Sequence, residues 1–278
     1  MSVKIIVDSC CEVPPLWADK VGVASLSIKV DNVMFIDSNL NMPQYLAALR
    51  NMHTFKTSCP SPQDYLKLYE GEQDIIVITL SSKLSGSYQS ACIARDIFFE
   101  SNGKDKQIHV IDSKSASAGE TAILVKAMEL CRQYSDFEQI VFQLEGFRNE
   151  HKILFVLQSL SNLAKAGRVS PLIAKAASVL GMRCVMSRTN EGEIKLQQKF
   201  IGEKRCLREL AKQISALALD MAERTLCISH CESKERVYSF LKNLSEYIDL
   251  NRFKNILINH TGGISSIYAD FGGIIVSL

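Results

Sequence analysis

Serine is the residue type that clusters in this chain. Ser81, Ser82, Ser85 and Ser87 fall within seven residues, separated by Lys83, Leu84 and Gly86. Hydroxyls at this density can cap a helix, hold an anion or supply a nucleophile. A helix start needs one capping hydroxyl, so the surplus favours ligand contact, with Ser85 foremost. Aspartates close two other apolar runs, in Asp8-Ser9 and Asp112-Ser113; such residues more often make strand-end turns than act as acid catalysts. His260 stands before Thr261, Gly262 and Gly263, where glycines let backbone approach a ligand; alone it reads as a loop histidine. With Ser85 as nucleophile, His260 as base and Asp112 or Asp8 as orienter, the same residues would form a serine-dependent acyl hydrolase. The Gly-x-Ser-x-Gly elbow is absent, although a triad is defined by geometry. Cys227-x-x-His230-Cys231 has zinc-like spacing but no second pair beside it, so a strand is the better reading, and Cys10-Cys11 suggests no metal site. Neither phosphate-binding glycine motif of nucleotide enzymes occurs, which weighs against a nucleotide-binding kinase or dehydrogenase. No cofactor and no metal are called for.

These residues need elements to position them. Ile75 to Leu80 is an unbroken apolar, β-branched run, as a buried parallel strand requires. The serine turn follows, and then Tyr88, Ala91, Cys92, Phe98 and Phe99 recur at helical spacing. Strand, turn and helix start place free N–H groups and hydroxyls at the positive end of a helix. Val3 to Val7 and Gln107 to Ile111 read as further strands of this kind, the second followed by a helix with Ile123, Leu124, Ala127, Leu130, Cys131 and Tyr134 on one apolar face. In doubly wound sheets such strand ends gather on one edge, where ligands bind.

Between them, Val23 to Val30 and Val33 to Ile36 read as strands around an Asp31-Asn32 turn. Met42 to Asn51 reads as a helix. Thr57 to Pro62 reads as a hydroxyl-rich and proline-rich loop before a helix over Gln63 to Tyr69. After a helix over Phe137 to Asn149 the pattern changes: a strand over Ile153 to Leu157, an apolar helix over Pro171 to Leu180, and a hairpin from Arg183 to Arg188 and Glu193 to Lys199. A helix, the strand Thr225 to Ser229, the helix Val237 to Ile248 and the strands Lys254 to Ile258 and Gly273 to Ser277 complete the chain. The expectation is an α/β protein with a mainly parallel domain over 1–149 and a second, mixed-sheet domain over 150–278.

Bulk properties narrow the function. The 278 residues carry 32 basic and 30 acidic side chains, a net charge of +2, with no basic stripe for nucleic acid. No apolar run reaches the ~18 residues of a membrane span, and the start, MSVKIIVDS, lacks signal-peptide organisation. Nine cysteines without a regular framework fit reduced thiols, so a cytoplasmic location is expected.

Several segments together resemble the DegV family of fatty-acid-binding proteins, which includes the B subunit of bacterial fatty acid kinase. They are Ile6-Val7-Asp8-Ser9, Thr57-Ser58-Cys59-Pro60-Ser61-Pro62, the run Ser81 to Ala91, Ile111-Asp112-Ser113, Leu163 to Ser170 and His260-Thr261-Gly262-Gly263. The resemblance covers the whole chain in the family's order. It implies two α/β domains with one long-chain fatty acid buried between them. It also implies a carboxylate site drawn from Thr57, Ser58, Ser85, Gly86, His260 and Thr261, with Arg168 near the entrance or a partner surface. The family member does no chemistry; it presents the carboxylate to an ATP-dependent kinase, and transient contact with a membrane surface is compatible with that role. Two positions depart from the family. Thr261-Gly262-Gly263 replaces Gly-Pro-Gly, and Ile201 stands where the family has an arginine associated with partner docking. A buried tail contributes up to ~0.8 kcal/mol per methylene, so the tail should dominate affinity. The head group needs donors to offset desolvation.

Overall fold

The computed structural model describes residues 3–103, 105–177 and 181–278. The elements in chain order are β1 (Val3–Asp8), β2 (Val21–Ala24), β3 (Ser27–Val30), β4 (Val33–Ile36), α1 (Met42–Arg50), β5 (Phe55–Ser58), α2 (Pro62–Leu68), β6 (Asp74–Thr79), α3 (Ser87–Asn102), β7 (Ile108–Asp112), α4 (Ala118–Gln133) and α5 (Phe137–Glu150). They continue with β8 (Ile153–Val156), α6 (Ser161–Lys165), α7 (Pro171–Ala177), β9 (Met182–Arg188), β10 (Ile194–Ile201), α8 (Glu203–Leu217), β11 (Thr225–His230), α9 (Lys234–Ser245), β12 (Asn255–His260), α10 (Gly263–Ala269) and β13 (Ile274–Ser277).

The first sheet has the order β2-β1-β6-β7 and is parallel throughout. Chain order reverses between β1 and β6, so the crevice beyond their carboxyl ends is the switch point at which open α/β sheets bind ligands. Alternation sorts the strand residues: Ile6, Ile75 and Val77 face the core under α2 and α3, while Ile5, Val7, Ile76 and Ile78 face α4. The second sheet, β10-β9-β8-β13-β11-β12, is mixed, with one parallel pair, β11-β12. One face, with Phe155, Met186 and Ile275, shares the core of α4; the other, with Val156, Val185 and Ile228, is covered by α8 and α9. A small antiparallel sheet, β4-β3-β5, lies beside the first. All strands of the parallel sheet and the small sheet precede residue 149, and all strands of the mixed sheet follow it.

Three local readings change. Val23 to Val30 is two strands in different sheets, broken at Ser25 and Leu26. The break is held from outside: the Leu26 N–H donates to Ser9 Oγ at 2.9 Å, and Leu26 O accepts from the Asp37 N–H at 3.0 Å. The Thr57 loop contains a strand, β5, paired to β3, so Thr57 and Ser58 stand on a sheet. Helix α4 is buried on all sides over residues 118–125 rather than along one face, because it touches β1 and β6 as well as β11 and β13. The helix read over Pro171 to Leu180 is described as α7, and its last three positions, 178–180, lie outside the described residues.

Candidate functional site

Between the two sheets lies a cavity of about 420 Å³. Its wall is mainly aliphatic: Leu80 and Leu84 come from the end of β6, Phe155 and Ile275 from the mixed sheet, and Leu163 and Ile264 from α6 and α10. The lining is polar in part, with Ser115, Ser187 and Ser265 and with the group Thr57, Ser58, Cys59, Ser85 and Gly86. The members of this group converge in space, since Cys59 Sγ lies 3.0 Å from where a Cβ on Gly86 would stand. A side chain at residue 86 would therefore crowd the turn.

The polar group around Ser85 is built locally. Ser81 O accepts from the N–H groups of Leu84 and Ser85, folding the turn back, and Gly86 is the N-cap of α3 without a side-chain cap. Ser85 Oγ lies 3.1 Å from Ser87 Oγ and accepts from the Ser87 N–H at 3.2 Å. Thr57 Oγ1 pairs with the Tyr268 hydroxyl at 2.8 Å. Arg168 lines the cavity and donates from Nε to Leu84 O at 3.0 Å, so its charge sits one residue from Ser85. Hydroxyls, the positive end of a sixteen-residue helix and a nearby guanidinium together favour an anionic group.

The structure thus brings Thr57, Ser58, Ser85, Gly86 and Arg168 to one cavity. His260 and Thr261 are not among its lining residues. The His260 side chain is 56% exposed, 3.7 Å from Glu232, and its ring packs against His230 with centroids 4.4 Å apart. Thr261 Oγ1 is engaged with Ser266 Oγ at 2.7 Å. A hydrolytic triad is not assembled among the described residues: the hydroxyl of Ser85 contacts Ser87, and the Asp112 carboxylate accepts from Ser82 and Lys114 backbone N–H groups. His230 is held well below the ordinary histidine range, at about 4, first by burial and then by His260.

Sequence reasoning missed Tyr268, Cys10, Lys114 and Arg188 in the lining. Tyr268 was legible in principle, because Ile264, Ile267 and Tyr268 recur at helical spacing after Gly263. Arg188 was not: its guanidinium donates to Arg148 O at 3.2 Å and His151 O at 3.1 Å, closing the C-terminus of α5. Cys10 contributes a neutral surface, since burial first and then Glu120 push its thiol well up. Among the described residues no helix is long and apolar enough to cross a membrane.

A family model described as an uncharacterised protein family, DegV, matches residues 2–269. A DegV domain-containing protein of Streptococcus pneumoniae is 32% identical over 288 residues, covering 99% of this chain and 98% of that protein. Among solved structures, a DegV family protein of Ruminococcus gnavus with vaccenic acid superposes with a TM-score of 0.93 at 35% identity, covering 100% of both chains. The Streptococcus pneumoniae Fatty Acid Kinase (Fak) B3 protein loaded with linoleic acid gives 0.91 at 30% identity, over 100% of this chain and 99% of that one. A DegV family protein of Eubacterium eligens loaded with heptadecanoic acid gives 0.89 at 28% identity, over 99% of each chain.

Proposed function

The chain belongs to the DegV family, and from that premise we propose that it binds one long-chain fatty acid in the cavity between its lobes, 1–149 and 150–278. It then presents the carboxylate to a separate ATP-dependent kinase for acyl-phosphate formation and performs no chemistry itself. The observation that carries this reading is a mainly aliphatic cavity whose lining also brings together Thr57, Ser58, Ser85 and the start of α3. At ~30 Å³ per water-sized group, a methylene being of similar size, about 420 Å³ accommodates roughly fourteen such groups. That is the scale of a long acyl tail. Its burial supplies on the order of 10 kcal/mol before ordering costs.

In this arrangement Ser85, Thr57 and Ser58 donate hydroxyls, Gly86 leaves room at the start of α3, and Arg168 adds positive potential from one residue away. His260 and Thr261 keep their own partners and stand apart from this grip. The kinase role draws on the name of the pneumococcal neighbour. Ile201, 74% exposed at the end of β10, marks where the docking surface of this chain would differ from the family pattern. Such a carrier works in the cytoplasm, touches a membrane surface transiently to exchange its ligand, and has no use for nucleic acid.

Native mass spectrometry of protein purified from bacteria, followed by lipid extraction, tests the reading. Stoichiometric fatty acid is expected. Ser85→Ala and Thr57→Val should each weaken retention by about 1–3 kcal/mol, the cost of removing a donor from a buried charged acceptor, whereas His260→Ala should change it less. Ligand-free protein from repeated preparations, or retention indifferent to both hydroxyl substitutions, would overturn it.

A further inference from the structure

A buried cluster that the head-group site does not itself use meets the cavity at Cys10. Asp8 ends β1, Cys10 follows it, and Glu120 sits in the first turn of α4; their ligand-capable atoms all lie within 4.8 Å of one another, and all three residues are buried. Asp8 is well supplied with donors: Oδ1 accepts from the Cys10 N–H at 3.1 Å and Oδ2 from the Leu80 N–H at 2.8 Å. Glu120 is not: the side chains that act on it are the Cys10 thiol and the Asp8 carboxyl, and no backbone N–H donates to its oxygens. The titratable groups facing the pair are Cys10, Cys11 and Glu12 from the segment after β1 and Tyr65 from α2, and none is a cation. Two buried carboxyls with no cation cannot both ionise, so at least one proton resides on the pair.

The pair is connected to the cavity. The fully buried Ser87 side chain faces Asp8 and lowers its carboxyl, and Ser87 Oγ lies 3.1 Å from Ser85 Oγ in the lining. Resting on the fatty-acid reading above, we propose that Asp8 and Glu120 are positioning residues for the head group, whose proton count sets the direction in which Ser87 and Ser85 donate. With one proton on the pair, held by Glu120, the Asp8 carboxylate accepts from Ser87, Ser87 accepts from Ser85, and Ser85 turns only lone pairs to the ligand. With a second proton, Asp8 donates to Ser87, Ser87 donates to Ser85, and Ser85 donates to the ligand carboxylate. Binding the carboxylate therefore draws one proton from solvent onto the pair.

Burial raises the Asp8 carboxyl to about 6 and the Glu120 carboxyl well above the usual range, with the like charge of Asp8 adding to the latter. Affinity should consequently fall as pH rises from 6 to 8, by at most about tenfold per pH unit for one linked proton. Glu120→Gln removes the acid and offers an amide donor that holds Asp8 as the carboxylate.

The test is titration calorimetry of the delipidated full chain with palmitate, and with hexadecyl sulfonate, which takes up no proton itself. Each is run at several pH values and in two buffers of different ionisation enthalpy. The expected result is proton uptake with both ligands in the wild type, with weaker, pH-insensitive binding and no uptake in Glu120→Gln. Ser87→Ala, which cuts the relay without touching either acid, should likewise lose the pH dependence. Uptake with palmitate only would place the proton on the ligand and overturn the proposal. So would a flat wild-type profile, an undiminished pH dependence in both variants, or stoichiometric divalent metal in the purified protein that Glu120→Gln loses. Failure to bind either ligand at any pH would instead sink the fatty-acid reading itself.

Discussion

Asp37 shows how much chemistry at the lobe junction is set by burial. Its carboxylate accepts from Ser9 Oγ at 2.7 Å and from the Ile264 N–H at 3.1 Å, yet desolvation lifts it to about 7. The folded value lies above the unfolded one of 3.8, so the folded state binds the extra proton between pH 4 and 7. The stability this group contributes is complete below that window and is lost as pH rises through it. Two buried histidines act in the opposite sense, His151 lowered to about 3 and His230 to about 4, so the informative quantity is a difference. Urea denaturation should show wild type losing ground to Asp37→Asn by a few kcal/mol between pH 5 and pH 8; parallel pH profiles would contradict this. At this scale the hydroxyls were legible, because four serines in seven residues exceed what a cap requires. The acids were not. Glu120 reads in sequence as an ordinary first-turn acid favoured by the helix dipole, and it is contact with Asp8 and Cys10, distant in sequence, that buries it.

Helix α4 carries the junction between the lobes. Glycine at 119 follows from its crowding: a Cβ there would lie 1.8 Å from Ser115 Oγ and 3.1 Å from Ile153 Cδ1. Gly119→Ala should therefore cost about 1–3 kcal/mol by overpacking. Adding Ser115→Gly should recover part of that loss in thermal melts, and full tolerance of the single change would refute the close approach. Apolar periodicity located this helix but placed one face inward, since a count of aliphatic positions does not register small residues packed on the other sides. The parallel strands were legible for the opposite reason: β-branched runs such as Ile75 to Thr79 have no stable alternative. The β2-β3 break and β5 escaped because contacts distant in sequence hold them, through Ser9, Asp37 and the pairing of Phe55–Ser58 with β3.

For the whole molecule, an empty apolar cavity between two lobes forfeits contacts that a ligand restores. Delipidated protein should accordingly melt lower than loaded protein. The gap should widen with ligand concentration as RT ln(1 + [L]/Kd) requires, about 2.7 kcal/mol at a hundredfold excess over Kd. Scanning calorimetry with increasing palmitate checks this, and an unchanged midpoint would separate the cavity from any ligand. The strand ends marked the sheet edge at which the cavity lies, and the change of pattern after Asn149 marked the mixed second half; the depth of the slot was not legible, because it depends on how the mixed sheet seats against α4.

Strand β13 lies between β8 and β11, although it follows both in the chain. A nascent chain that has emerged only as far as residue 269 therefore holds two separate ribbons, β10-β9-β8 and β11-β12, with bare edges facing each other. The wedge that joins them is translated after both, which exposes the growing polypeptide to chaperones and to misassociation until β13 has been made.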